Sequence, residues 1–240
     1  MTDFDGPTTP DVLESGRAYA DLRQRLIARL RLVDNSAAAT TVPACPHWTI
    51  KDTAAHLAGV QEDILAGRID GIASDAWTAA QVDRFRDASL SEILDAWEAT
   101  ASAIDPIVGL FPPAPASQMV FDAVSHELDI MAALGEHGDR DSEAVRVGSA
   151  FALVFVDDLM ASTSRHADLV PFVVDFGSGR VAIGAATTAS PVVVVSRYDF
   201  MRSVSGRRSR EQVRPLGLPD AWWDSFMPLT PFALSAVGEN

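Results

Sequence analysis

Apolar positions recur at three-and-four spacing along much of this chain, the periodicity of amphipathic helices. From Val12 to about Val33, Leu22, Leu26 and Leu30 fall on one stripe. The stretch "DNSAAATTVPACPHW" then loses the period and is punctuated by Pro43 and Pro46, as a loop would be. Thr49 reads as an N-cap with Asp52 three residues on, and a second helix is expected to run to Gly67. A third begins near Ser89 or Ser91 and runs through "EILDAWEATASAIDPIVG" until the Pro-rich "FPPAPAS" breaks it. The fourth contains "FDAVSHELDIMAALG", with Val124, Leu128, Met131 and Leu134 in period and Gly135 at a C-cap. A fifth pattern spans Ser142 to about Ser164.

After Asp168 the texture changes. "PFVVDFG", "GRVAIG" and "PVVVVS" are short β-branched runs between Gly, Ser and Pro, the mark of strands. "RYDFMRSVSGRR" and "REQVRPLG" then return to a helical pattern. The pattern predicts an α+β chain, mainly α: a helical bundle over residues 1–168 and a small α/β domain over 169–240.

Composition narrows the options. Hydrophobic residues are 48% and charged residues 22% of 240, enough to bury a sizeable core. No apolar run reaches membrane-spanning length, and "MTDFDGPTTPDV" lacks the basic start and apolar core of a secretory signal, so a cytoplasmic location is expected. A net charge of −14 argues against a nucleic-acid partner, because phosphate binding needs clustered cations. With Cys45 as the single cysteine, no internal disulfide can form and a multi-cysteine zinc site is excluded. Any metal must be held by His and carboxylates.

The fourth helix carries that chemistry. Asp122 and His126 are four apart and project from consecutive turns, with Asp129 on the same face. Glu127 points about 100° away and is expected to face solvent. A helix supplies two such ligands, and inward-facing carboxylate and His pairs build metal sites between the helices of bundles. The second helix offers a third ligand in His56, set among Ala54, Ala55, Leu57 and Val60. His47, His137 and His166 lie in a loop, after a C-cap and at a helix end, and are weaker candidates. Two His and one carboxylate leave a fourth position open, the pattern of catalytic zinc, with Ni, Fe or Co equally suited by ligand type. The competing reading is a set of hydrogen-bonded core histidines with Asp52 serving only as a cap.

Three segments, in order along the chain, resemble those of one family. "VPACPHWTIKDTAAHLAG" resembles the loop and His-Leu helix of the mycothiol-dependent maleylpyruvate isomerase family, a branch of the DinB-like up-down four-helix bundles. "FDAVSHELDIMAAL" resembles its later helix, and "GRRS" its C-terminal Gly-Arg motif. The resemblance implies that His56, Asp122 and His126 hold Zn²⁺ or another divalent transition metal. Asp122 stands where the family often has Glu, one methylene longer. It implies that Asp129 supports a ligand imidazole or anchors the helix, and that Trp48 matches a family aromatic, although packing under the loop also accounts for it. It further implies mycothiol as a thiol cosubstrate acting on a small electrophile, as an isomerase or an S-transferase. Arg207, Arg208, Arg210 and Arg214 could bind substrate carboxylates; Arg207 and Arg208 are the expected catalytic pair, though a solvated charged face is the competing reading. Cys45 reads more simply as a small half-buried residue than as a nucleophile. A non-catalytic binding protein and a metallohydrolase remain alternatives on the same scaffold.

Overall fold

The computed structural model describes residues 4–162 and 170–218. Helix α1 (Val12–Leu30) starts where the Asp11 carboxylate accepts the backbone N–H groups of Leu13 and Glu14. A short α2 (Asn35–Ala38) leads into an antiparallel hairpin, β1 (Thr41–Val42) and β2 (Cys45–Thr49). This hairpin occupies the segment expected to be loop. Its strands are too short to show an alternating pattern.

Helix α3 (Ile50–Leu65) begins with the expected reciprocal cap: the Asp52 N–H donates to Thr49 Oγ1, and the Thr49 N–H to the Asp52 carboxylate. Helix α4 (Asp75–Arg84) was not anticipated. Among its residues only Gln81 is buried, so it has no apolar stripe to read.

The third expected helix is two helices, α5 (Leu90–Ala99) and α6 (Ala101–Val108). The Thr100 hydroxyl donates back to the Ala96 and Trp97 carbonyls, and Gln61 Nε2 also donates to Trp97 O. These bonds compete with the helical ladder at the junction.

Helix α7 (Pro113–Ala133) begins inside the Pro-rich stretch, with Pro113 at a first-turn position that tolerates it. It ends as Gly135 said it would. Gly135 has φ +75°, its N–H donates to Ala132 O, and the Glu136 N–H reaches Met131 O at 2.8 Å. Helix α8 (Glu143–Ser162) follows; the expected end near Ser164, the boundary at 168/169 and His166 lie outside the described residues.

The three β-branched runs are strands β3 (Phe172–Asp175), β4 (Arg180–Ile183) and β5 (Val192–Val194). Their order is β4-β3-β5, with β4 antiparallel and β5 parallel to β3. Helix α9 (Arg197–Val204) and a short α10 (Arg210–Val213) follow among the described residues.

Helices α1, α3, α5–α6 and α7 form the bundle; α8 packs against α7 and α1, and α9 against α8. One hydrophobic core runs from Leu22 and Trp97 in the bundle to Phe172, Phe200 and Met201 in the α/β part. A Cβ at Gly148 of α8 would stand 2.9 Å from Met201 Sδ and 3.0 Å from Val124 Cγ1, so this glycine lets α7, α8 and α9 close together. That approach carries the C-terminal arginines to the bundle. No helix among the described residues is long and apolar enough to cross a membrane.

Candidate metal centre

Four elements meet around one pocket of about 500 Å³: the β1–β2 hairpin, α4, α7 and the turn after α9. Its walls include Cys45, Trp48, Phe121, Asp122, His126 and Arg207. At one side, Nε2 of His56 lies 3.3 Å from Asp122 Oδ2, and Nε2 of His126 lies 3.6 Å from Asp122 Oδ1. Ligand atoms of all three residues fall within 4.8 Å of one another.

These separations suit a cation better than direct hydrogen bonds. Two ligands each ~2.1 Å from a tetrahedral ion stand about 3.4 Å apart. The imidazoles are buried, with side chains 5% and 9% exposed, whereas the Asp122 side chain is 41% exposed toward the pocket. The ligand set therefore has a closed side and an open side. Asp122, shorter than glutamate, still reaches both imidazoles.

Each ring is also held from behind. Nδ1 of His56 meets Gln81 Oε1 at 2.8 Å, and Gln81 Nε2 donates to Asp63 at 2.9 Å. Nδ1 of His126 faces Asp129 Oδ2 at 3.5 Å. The Trp48 ring lies against both, with centroids 5.2 Å from His56 and 5.8 Å from His126. It packs under the hairpin and forms a wall of the site at once.

Charge accounts for the ionisation pattern. Burial disfavours a charged His126, but hydrogen bonds to Asp129 and Cys45 and the field of Asp122 outweigh it and lift its pKa to about 10. Partial desolvation at the pocket wall likewise opposes an ionised Asp122, yet His56, His126 and Arg207 bring its pKa down to about 2. The site thus holds positive charge between its carboxylates. A divalent cation would compete with the His126 proton for the same place.

Cys45, His126 and Asp129 form a second group with metal-ligand spacing. Asp129 makes that group a poor cation site. Its carboxylate, fully buried, already accepts from Arg202 at 2.7 Å and Arg207 at 3.0 Å, so an ion there would face two guanidinium charges. Cys45 itself is half-buried, its sulfur 3.9 Å from His126 Nδ1 and 3.9 Å from Arg207.

The arginine cluster divides. Arg207 is buried and lines the pocket. Arg208 is buried elsewhere, donating to Asp199 at 3.3 Å and stacked over Tyr198. Neither belongs to a solvated face, whereas Arg214 is exposed.

Glu127 corrects the expectation that it faces solvent. It is buried and accepts a two-pronged bond from Arg25 of α1, both distances 2.6 Å. Three contributors escaped sequence reasoning altogether: Gln81, Asp63 and Arg202. Gln81 sits in a helix without periodicity, and Arg202 lies in a pattern that fits an ordinary surface helix.

Asp63 gives the α3–α4 contact a pH dependence. Burial works to raise its carboxyl, but donors from Gln81, Arg68 and Arg84 outweigh it and hold it below the usual carboxylate range. A pKa lowered on folding contributes stability that is whole above the unfolded value of about 3.9 and is lost as pH falls below it. The urea-unfolding advantage of the wild type over Asp63→Asn is therefore expected to shrink between pH 7 and pH 3. An advantage that stays constant over that range would deny Asp63 its ionised role.

A family model described as the mycothiol maleylpyruvate isomerase N-terminal domain matches residues 19–131, a span holding His56, Asp122, His126, Trp48, Gln81 and Asp129. No curated protein and no solved structure matches the chain.

Proposed function

We propose that this chain, whose residues 19–131 match the family model of the mycothiol maleylpyruvate isomerase N-terminal domain, is a metal-dependent enzyme that uses a low-molecular-weight thiol, mycothiol, on a small electrophile. The reaction is a cis–trans isomerisation or a thiol transfer. The observation that carries the reading is the meeting of His56 Nε2, His126 Nε2 and the Asp122 carboxylate at the side of an open pocket that Asp122 and His126 line.

In this reading His56, Asp122 and His126 hold Zn²⁺ or a similar divalent ion. Such an ion supplies the charge that keeps a thiol ionised, and so nucleophilic, at neutral pH. The protein's own residues do the rest. Asp129 and Gln81 steady the two imidazoles from behind. Trp48 and Phe121 give the pocket apolar walls that limit water around a bound thiol. Arg207 presents a guanidinium to the same pocket, where it can pair with a carboxylate of the electrophile. Its own tie to Asp129 fixes its position. Arg208 is not assigned a part, because its contacts lie at Asp199 and Tyr198. Cys45 needs no catalytic role, since the cosubstrate brings the sulfur.

Cobalt(II)-loaded protein tests this directly. Added mycothiol is expected to produce a sulfur-to-cobalt charge-transfer band that saturates at one thiol per cobalt. A spectrum indifferent to mycothiol would remove the thiol from the reading.

A further inference from the structure

We propose that Asp63 and Gln81 form a relay of fixed hydrogen-bond polarity that holds a hydrogen on Nδ1 of His56 and so reserves Nε2 for the metal. The inference deepens the metal reading of His56, Asp122 and His126, and rests on it for its consequence.

The relay begins with a group that can only accept. The Asp63 side chain is 3% exposed. Its Oδ1 takes Arg68 Nε at 2.7 Å and Arg84 Nη2 at 2.5 Å, and its Oδ2 takes Gln81 Nε2 at 2.9 Å. A carboxylate so surrounded has no hydrogen to give. Gln81 is fully buried, so its amide must turn its NH2 toward Asp63. The opposite orientation would press a carbonyl oxygen against the carboxylate in a buried place. Gln81 Oε1 is therefore the atom facing His56 Nδ1 at 2.8 Å. An acceptor there requires Nδ1 to carry the hydrogen. With Nδ1 so occupied, Nε2, 3.3 Å from Asp122, is the ring nitrogen left on the metal side, where an ion would take the place of any hydrogen it shares with Asp122.

The surrounding structure is arranged around this contact. Gln81 is the one buried residue of α4. Gly59 of α3 makes room for it: a Cβ there would lie 2.5 Å from Gln81 Cβ. The segment after α4 is tied down by Lys51, whose Nζ donates to Arg86 O and Ala88 O. The elements holding α4 thus converge on a single amide behind a candidate ligand. Asp63 and Gln81 are positioning residues, acting on the metal only through His56.

Asp63→Asn inverts the relay without changing its shape. The Asn carbonyl must serve Arg68 and Arg84, which leaves its NH2 facing Gln81. Gln81 then turns its Oε1 to Asn and its NH2 to His56 Nδ1. The ring hydrogen moves to Nε2, the atom aimed at the metal. Gln81→Glu added to Asp63→Asn restores the original sense: the Glu carboxylate accepts from the Asn NH2 and from His56 Nδ1–H, and net charge is conserved.

The test pairs ¹⁵N–¹H correlation spectra of the imidazole, recorded on metal-free protein, with zinc affinity by chelator competition. Wild type is expected to show a hydrogen on Nδ1 of His56, and Asp63→Asn a hydrogen on Nε2 alone with roughly 10–100-fold weaker zinc binding. The double variant is expected to return to the Nδ1–H form and to within about threefold of wild-type affinity, on the same outer-partner scale. An Nδ1–H form retained in Asp63→Asn, or a double variant no better than Asp63→Asn, overturns the relay. A tautomer switch and rescue in a protein that binds no zinc would uphold the relay and sink the metal reading instead.

Discussion

His126→Ala is expected to weaken zinc binding by more than about 100-fold, beyond the loss typical of an outer partner, while leaving the far-ultraviolet circular dichroism almost unchanged. The asymmetry follows from where the side chain stands. Its backbone lies well inside α7, a helix of 21 residues capped at its C-terminus and buried along most of its length. Alanine is the best helix former, so the helix has no reason to break. The ring faces the pocket, where water can replace it. Its removal leaves His56 and Asp122, a two-ligand set; among the described residues, the ligating groups grouped with the lost ring, Asp129 and Cys45, both already meet Arg207. Competition with a chelating dye gives the affinity, and the dichroism gives the fold. Retention of zinc would exclude His126 as a ligand; collapse of the helical signal would make the metal a folding element rather than a catalytic one.

Asp129→Ala should have the largest effect on stability, a loss of about 3–5 kcal/mol in urea unfolding, the range for removing one partner of a buried ion pair. Asp129 and Arg202 are both fully buried, and Arg207 is nearly so. Without the carboxylate, two guanidinium groups lose their common counter-charge in the core. Arg202 also donates to Ser125 O, so it binds α9 to α7 at two points, and the loss would fall on the joint between the bundle and the α/β part. The exposed pair Arg86–Asp83 offers the contrast. Its side chains are 71% and 60% exposed, and Asp83→Ala should cost less than about 1 kcal/mol because water and salt screen it. Equal losses for the two variants would mean that the Asp129 cluster contributes no more than a surface pair.

Much of this arrangement is written in local signals. Asp11, Thr49 with Asp52, Ser89 with Glu92, and Gly135 mark helix ends by their own hydrogen bonds, and each does so in the structure. The three valine-rich runs pair as strands because β-branched residues fit a buried pleated surface. The spacing of Asp122 and His126 puts both on one face of α7, and His56 is legible as an imidazole in an apolar run.

What the sequence hides is decided between elements. Helical geometry correctly turns Glu127 away from the metal face, but it cannot say that Arg25 of α1 waits there. Gln81 is neutral, polar and without periodic neighbours; its importance exists only once Gly59 admits it to α3. Arg202 and Arg208 share a short basic stretch with Arg207, and only the packing of α9 on α8 separates their roles. The division of the third helix at Thr100 likewise depends on Gln61, a residue from a different helix.

The central proposition is that two imidazoles and one carboxylate hold a metal with room for one sulfur from outside the protein. X-ray absorption at the zinc edge reads that arrangement most directly. The zinc-loaded chain should show two imidazole nitrogens at about 2.0–2.1 Å and no sulfur, and added mycothiol should bring in one sulfur at about 2.3 Å. A zinc–sulfur distance present before any thiol is added would place the ion at Cys45, and a spectrum without imidazole would place it elsewhere; either contradicts the site built from His56, Asp122 and His126.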